Sequence, residues 1–167
     1  IDGTITSTLT VAVNDGSSND NFDGVANQTV SVTTVDNDVA GFTIVQSGGS
    51  TSVNESGTTD TFTIVLNAQP ASNVVLNITS SDTGEATVTS ALTFTSGNWN
   101  SAQTVTVTGV NDNIIDGTIT STLTVAVNDG SSNDNFDGVA NQTVSVTTVD
   151  NDVAGFTIVQ SGGSTSV

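Results

Sequence analysis

Hydrophobic and polar residues alternate along most of the chain, in short runs separated by segments rich in Gly, Asn, Asp and Ser. In the run from 61 to 66, for example, Phe62, Ile64 and Leu66 fall on one face, which is the period of a half-buried β-strand. The pattern predicts strands at residues 42–45, 61–66, 74–79, 86–88 with 92–94 as one divided strand, 103–107, 118–127 and 142–149. Seven strands at this regular spacing predict an all-β fold, a seven-stranded antiparallel β-sandwich of the immunoglobulin-like kind.

The chain also contains a long internal repeat. Residues 1–53 recur letter for letter as residues 115–167, so the period is 114 residues, the length of one typical domain. Combined with the strands, this repeat predicts a complete domain at 39–152, the last two strands of a preceding repeat at 1–38, and the first strand of the next at 153–167. Because VDNDVAGF joins the last predicted strand directly to the next first strand, consecutive repeats are expected to stack end to end.

Charge narrows the possible chemistry. The chain has no Lys, Arg, His or Cys and 17 Asp plus Glu, for a formal net charge of -17. These counts exclude side-chain salt bridges, His or Cys nucleophiles, thiolate or imidazole metal sites and disulfides. A phosphate-binding surface needs basic side chains, so neither a nucleic acid nor an anionic membrane is an expected partner. Regular alternation argues against disorder, and no run approaches the roughly 18 apolar residues of a membrane-inserted helix.

Acidic residues concentrate at one predicted pole of the sandwich. Strand parity places eight of the 11 acids of residues 39–152 in loops at that pole, namely Glu55, Asp60, Asp82, Glu85, Asp112, Asp116, Asp150 and Asp152, and only Asp129, Asp134 and Asp137 at the other. The carboxylates of such a cluster repel one another. A bound Ca²⁺ is the simplest way to neutralise them, because this ion prefers carboxylate, amide and backbone oxygens. The alternative is that these acids are ordinary solvated turn residues. The segment at 128–138 resembles an EF-hand loop only loosely and is interpreted as a turn.

The segments TVDNDVAGF, VTGVNDNIIDGT, VNESG and LTFTSGNWNSAQTVTV resemble the Calx-beta family over essentially the whole 114-residue unit. Calx-beta domains occur in sodium-calcium exchangers, in an integrin subunit and in arrays within giant bacterial surface adhesins, and they hold Ca²⁺ at one pole. The resemblance implies that the Ca²⁺ ligands are Glu55, Asp82, Asp112, Asp116, Asp150 and Asp152. In the partial repeat Asp2, Asp36 and Asp38 occupy the equivalent positions and are expected to form half of a site. Asn111, Asn113 and Asn151 replace acids of the exchanger pattern, which implies fewer or weaker ions.

This resemblance implies a calcium-rigidified structural spacer of a large secreted bacterial surface protein, an adhesin or fibre stalk, whose partners are neighbouring repeats. A self-assembling extracellular filament or sheath subunit is the alternative, because Thr-rich edge strands without Lys favour lateral pairing. A carbohydrate-binding module needs an aromatic platform, and the single Trp, Trp99, is instead expected to close the core. Paired carboxylates suffice for glycoside hydrolysis, but here they fall at a repeat junction without an evident pocket, so no enzyme is predicted.

Overall fold

The structure is a computed structural model that describes residues 1–163, whose strands fall into two groups. Strands β1 (Ile5–Val11) and β2 (Gln28–Thr34) pair with each other as an antiparallel hairpin. The other strands are β3 (Phe42–Gln46), β4 (Thr51–Asn54), β5 (Thr59–Leu66), β6 (Val74–Ser80), β7 (Ala86–Val88), β8 (Ala91–Phe94), β9 (Gln103–Gly109), β10 (Ile119–Val127) and β11 (Gln142–Val149). They form a sheet of order β4-β11-β10-β6-β8 and a sheet of order β3-β5-β9-β7. The predicted all-β immunoglobulin-like sandwich is confirmed.

The core lies between these two sheets. Each strand buries alternate residues because one of its faces packs on the other sheet. The largest fully buried apolar side chains are Phe62, Phe94, Phe136, Ile64, Leu76, Ile78 and Leu123. Trp99 is partly buried and packs against this cluster, as expected for a residue that closes one end of the core. The helices of residues 1–163 are 3-10 turns of three residues each, and none is long and apolar enough to cross a membrane.

The strand predicted as divided, 86–88 with 92–94, is split between the two sheets, since β7 pairs with β9 and β8 pairs with β6. The chain also changes sheets after the first predicted strand: β3 runs against β5, the chain turns at Ser47–Gly49, and β4 follows in the other sheet. Gly48 and Gly49 allow this turn because both have positive φ, 64° and 83°. Strand β4 was not predicted, and its pairing with β11 is parallel in a sandwich whose other pairs are antiparallel. The alternation of hydrophobic and polar residues does not reveal this strand, because it has only four residues and its partner lies nearly a hundred residues away in the sequence.

Identical sequence adopts identical pairing but different burial in its two copies. In the β1–β2 hairpin Ile5 pairs with Thr34, and in the β10–β11 hairpin Ile119 pairs with Thr148, so the register is the same one period apart. Residues 153–163 repeat the sequence of residues 39–49 yet contain no strand, while residues 164–167 of the predicted next repeat lie outside the described residues. The division into repeats at 38/39 and 152/153 stays a prediction.

The two copies provide a matched pair of substitutions. Leu123 is fully buried, whereas Leu9, its copy in β1, is 57% exposed. Leu123→Ala is expected to lower the free energy of unfolding by about 2–5 kcal/mol, because it leaves a cavity between the sheets. Leu9→Ala is expected to change it by no more than about 0.5 kcal/mol. Denaturant titration followed by Trp99 fluorescence measures both, and equal effects would contradict the burial of β10.

Candidate metal centre

Glu55 is a buried carboxylate at the end of the sandwich. It directly follows β4, its backbone N–H donates to the carbonyl of Val149 at 3.2 Å, and its side chain is 1% exposed. The neighbouring residue Asn54 lies so close to Gly109 of β9 that any Cβ at Gly109 would overlap the Asn54 backbone. Glycine at this position therefore allows the Glu55 turn to close over the sandwich end. The backbone N–H of Asn151 donates to Glu55 Oε2 at 3.3 Å.

Glu85 is the second buried carboxylate of this pole, with 6% of its surface exposed. It lies in the loop before β7, where its backbone carbonyl accepts from the Val110 N–H at 2.8 Å and from Thr148 Oγ1 at 3.4 Å. Its side-chain Oε2 is buried and accepts no hydrogen bond from the described residues. Loop parity predicts Glu85 at this pole, but the family resemblance does not include it among the ligands. The one available signal was its position three residues after Asp82 in the same loop.

Carboxylate oxygens converge here in two groups that share Glu55. One oxygen from each of Glu55, Glu85 and Asp116 lies within 4.8 Å of the others, and the same holds for Glu55, Asp150 and Asp152. Oxygens that share one Ca²⁺ lie at most about 5 Å apart, since each is roughly 2.3–2.6 Å from the ion. Both groups therefore fit this hard cation, and an amide or water can complete the shell. Asp152 Oδ2 is a further buried oxygen without a hydrogen-bond donor among the described residues.

Asp150 orients the two loops that meet at this pole. Its Oδ1 accepts from the Asp152 N–H at 2.6 Å, and its Oδ2 accepts from the Gly117 N–H at 2.8 Å. These backbone hydrogen bonds, with that of Asp152 the stronger influence, lower the pKa of Asp150. Its carboxylate thus stays ionised and joins the segment after β11 to the loop before β10.

Asp82 and Asp112 lie at the same pole but belong to neither oxygen group. Asp82 Oδ1 accepts from the Gly84 N–H at 2.9 Å, and Asp112 Oδ1 accepts from the Ile114 N–H at 2.7 Å, so each closes its own turn. They still act on the buried pair electrostatically. Their assignment as ligands stays a prediction, and their position makes them contributors to the negative field of the site.

Asp2, Asp36 and Asp38 reproduce part of this arrangement in the first 38 residues. Asp36 Oδ1 accepts from the Asp38 N–H and its Oδ2 from the Gly3 N–H, both at 2.9 Å, as in the Asp150 copy. These backbone hydrogen bonds lower the pKa of Asp36. None of the three belongs to a metal-type group within the described residues. Asp36 and Asp38 therefore reproduce the local hydrogen bonds of Asp150 and Asp152, and the assignment of these three acids to a half-site stays a prediction.

The pKa shifts at this pole arise because its carboxylates are buried and have no positively charged side chain as a partner. The pKa of Glu55 is raised by burial and secondarily by Asp150, and the Asn151 N–H opposes this shift. Burial also raises the pKa of Glu85, reinforced by the charge of Asp116. Amides hold the rim together, since Asn151 Nδ2 donates to Asn111 Oδ1 at 3.0 Å. The site accordingly favours a proton or a cation.

At the opposite pole, residues 128–138 form two 3-10 turns, Asp129–Ser131 and Asp134–Phe136, as their interpretation as a turn predicted. Burial of the Phe136 ring anchors this loop to the core. The pKa of Asp137 is raised by burial and by its neighbours Asp129 and Asp134. These acids form no metal-type group among residues 1–163.

Comparisons with known proteins bear on the fold. No protein-family model matches the chain, and no curated protein matches it at a significant level. Among solved structures, surface layer protein SbsC domains 1–6 are 26% identical with a TM-score of 0.50, over 89% of this chain and 17% of that one. SbsC domains 4 and 5 are 26% identical with a TM-score of 0.48, over 86% of this chain and 57% of that one. The apo-form Calx CBD1 domain is 12% identical with a TM-score of 0.46, over 66% of this chain and 98% of that one.

The shifted pKa values of the acids at this pole predict how the stability of the calcium-free protein depends on pH. Glu55 and Glu85 have folded-state pKa values above the ordinary 4.5, so the stability they contribute is complete below 4.5 and is lost as the pH rises through the raised values. Asp150 has a folded-state pKa below the ordinary 3.8, so its contribution is present above 3.8 and is lost as the pH falls through the lowered value.

The calcium-free protein is therefore expected to lose stability as the pH rises above 4.5 toward neutral, and Asp137, whose pKa is also raised, acts in the same direction. It is also expected to lose stability as the pH falls below 3.8, through the lowered pKa values of Asp150 and Asp36. Thermal melts in chelator between about pH 3 and pH 7 measure this profile. Glu85→Gln is expected to reduce the loss at neutral pH, while Asp15→Asn, at an exposed turn of the first hairpin, is expected to leave it unchanged. A stability that rises steadily to pH 7 in the parent chain would contradict the raised pKa values.

Proposed function

We propose that this chain is a calcium-rigidified spacer repeat of a large secreted surface protein, an adhesin or a fibre stalk. The burial of Glu55 and Glu85 in a chain without Lys, Arg or His carries this proposal. A carboxylate that has lost its hydration is destabilising unless it is paired, and this chain supplies no side-chain partner of opposite charge. A divalent cation bound by both oxygen groups supplies that partner.

The position of the groups links the ion to the joint between repeats. Asp150 and Asp152 directly follow β11, where the polypeptide leaves the sandwich, and Glu55 lies inside its end. An ion bound by all three fixes the exit segment to the sandwich. In the first copy of this segment only residues 39–41 separate Asp38 from β3. Calcium would thus act within a few residues of the next repeat, and its loss would free the joint.

The similarity to SbsC domains 1–6 supports an extracellular structural role, since that protein is described as a surface layer protein. It also favours a second candidate, a self-assembling surface subunit or filament. The two differ in one observable. A spacer changes its shape with calcium at constant mass, whereas an assembling subunit gains mass.

The proposal is tested by small-angle scattering on a chain extended by one further period, so that two complete repeats are present. Excess calcium is expected to increase the maximum dimension at constant mass, and chelator is expected to reverse this. Growth in mass with calcium would favour the assembling subunit. An unchanged shape would leave the acids as solvated turn residues.

Calcium affinity gives a second prediction, on the unextended chain. Glu55→Gln removes the carboxylate shared by both groups and is expected to weaken calcium binding at least about tenfold, because ligand charge sets affinity. Asp129→Asn removes the same charge at the opposite pole and is expected to change affinity little. Calorimetric titration measures both. At calcium concentrations of 100 times Kd, the parent chain should gain about 2.7 kcal/mol of stability. Equal affinities in the two variants would place the ion elsewhere.

A further inference from the structure

A shallow cavity of about 340 Å³ lies at the pole opposite Glu55, between the β5–β6 and β8–β9 loops. The cavity is lined on one side by Gln69, Pro70, Ala71 and Ser96 and on the other by Ile1 and the two acids Asp2 and Asp38. The Ile1 side chain is partly buried against the core, its nitrogen donates to the Gln69 carbonyl, and its carbonyl accepts from Asn135 Nδ2 at 3.2 Å. We call the surface formed by Gln69, Pro70, Ala71 and Ser96 the seat.

The seat is organised by contacts that do not involve Ile1. Gln69 Nε2 donates to the Ser96 carbonyl at 2.8 Å and ties the two loops together. Asn133 joins the β10–β11 loop to the same region, since its N–H donates to the Asn73 carbonyl at 2.9 Å and its Nδ2 to Ser72 Oγ at 3.1 Å. These hydrogen bonds hold the loops of the seat together without any contribution from Ile1.

Ile115 is the same residue as Ile1 one period later, and it lies at the acidic pole beside Asp116. Nothing in the described chain covers it, and it is 57% exposed. Residues 39–152 thus carry both halves of one contact, a seat at one pole and a free isoleucine at the other. Complementary patches on opposite poles make a head-to-tail interface, which propagates along an array of identical units.

We propose that Ile115 docks into the seat of the following repeat and forms an apolar contact beside the acidic site at each joint. The occupant of each seat is the copy of this segment in the preceding repeat of the same chain, since Ile1, which begins an identical local sequence, IDGTITS, already lies against the seat of residues 39–152. This proposal rests on the tandem-spacer function but not on calcium. The contact fixes the direction of the next repeat, while an ion fixes the exit segment to the preceding one.

The test uses the chain extended by one period, with one cysteine replacing Ser145 in each repeat for spin labels. The chain has no cysteine of its own, so both labels are specific. In excess calcium the distance distribution between the labels is expected to be a single narrow peak. Ile115→Ser is expected to abolish this peak, and so is Ala71→Phe, which fills the seat from the other side. Val45→Ser is the control, because Val45 is 59% exposed on β3, away from the joint.

Calorimetric calcium titration of each variant separates this proposal from the calcium function. If Ile115→Ser and Ala71→Phe lose the narrow peak while they bind calcium as the parent chain does, the docked contact is supported. If the parent chain binds no calcium but still shows a narrow peak that both variants lose, the docking stands and the calcium function fails. A narrow peak that survives in both variants overturns the docking. A parent chain that forms dimers, in which the seat of one molecule binds Ile115 of another, also overturns it.

Discussion

The rest of the structure depends on one electrostatic constraint, the burial of carboxylates in a chain that contains no positive side chain. Where backbone N–H groups reach a carboxylate, as the Asp152 and Gly117 N–H groups reach Asp150, the negative charge is accommodated locally. At Glu85 one oxygen accepts nothing from the described residues, so burial of the charged form is unfavourable and a bound proton would relieve it, as would a cation. Stability and the proposed function therefore meet at the same pole.

Two physically different contacts would then stiffen the array. Ion binding at Glu55 depends on calcium and responds to its concentration, whereas docking of an isoleucine into the seat depends on apolar burial and responds little to salt. In the proposed array the two contacts would lie on the two sides of each joint, where residues 39–41 separate Asp38 from β3. A repeat that contains both would resist bending even when calcium is scarce, and calcium would add stiffness and local stability.

Strand alternation and loop parity were sufficient to bring Glu55, Asp116, Asp150 and Asp152 to one pole, because the parity of an antiparallel sandwich decides which loops are neighbours. They could not show that Asp82 closes its own turn through the Gly84 N–H. Nor could they show that Glu85 is buried, since the Val110 N–H and Thr148 Oγ1 that hold its backbone come from distant segments. Strand β4 escaped prediction for the same reason, since its partner β11 lies far along the chain.

The duplicated sequence separates what sequence determines from what tertiary structure decides. Both copies of the hairpin have the same register, and Asp36 and Asp150 accept the same kinds of backbone hydrogen bond, because these contacts form within the hairpin and its flanking segments, which both copies contain in full. Burial differs, since Phe136 is fully buried while Phe22 is 57% exposed. The sequence by itself determined strands, register, charge and the local turn geometry. Only tertiary packing decided which carboxylates are buried and which isoleucine contacts the seat. Both outcomes require surfaces contributed by distant parts of the chain.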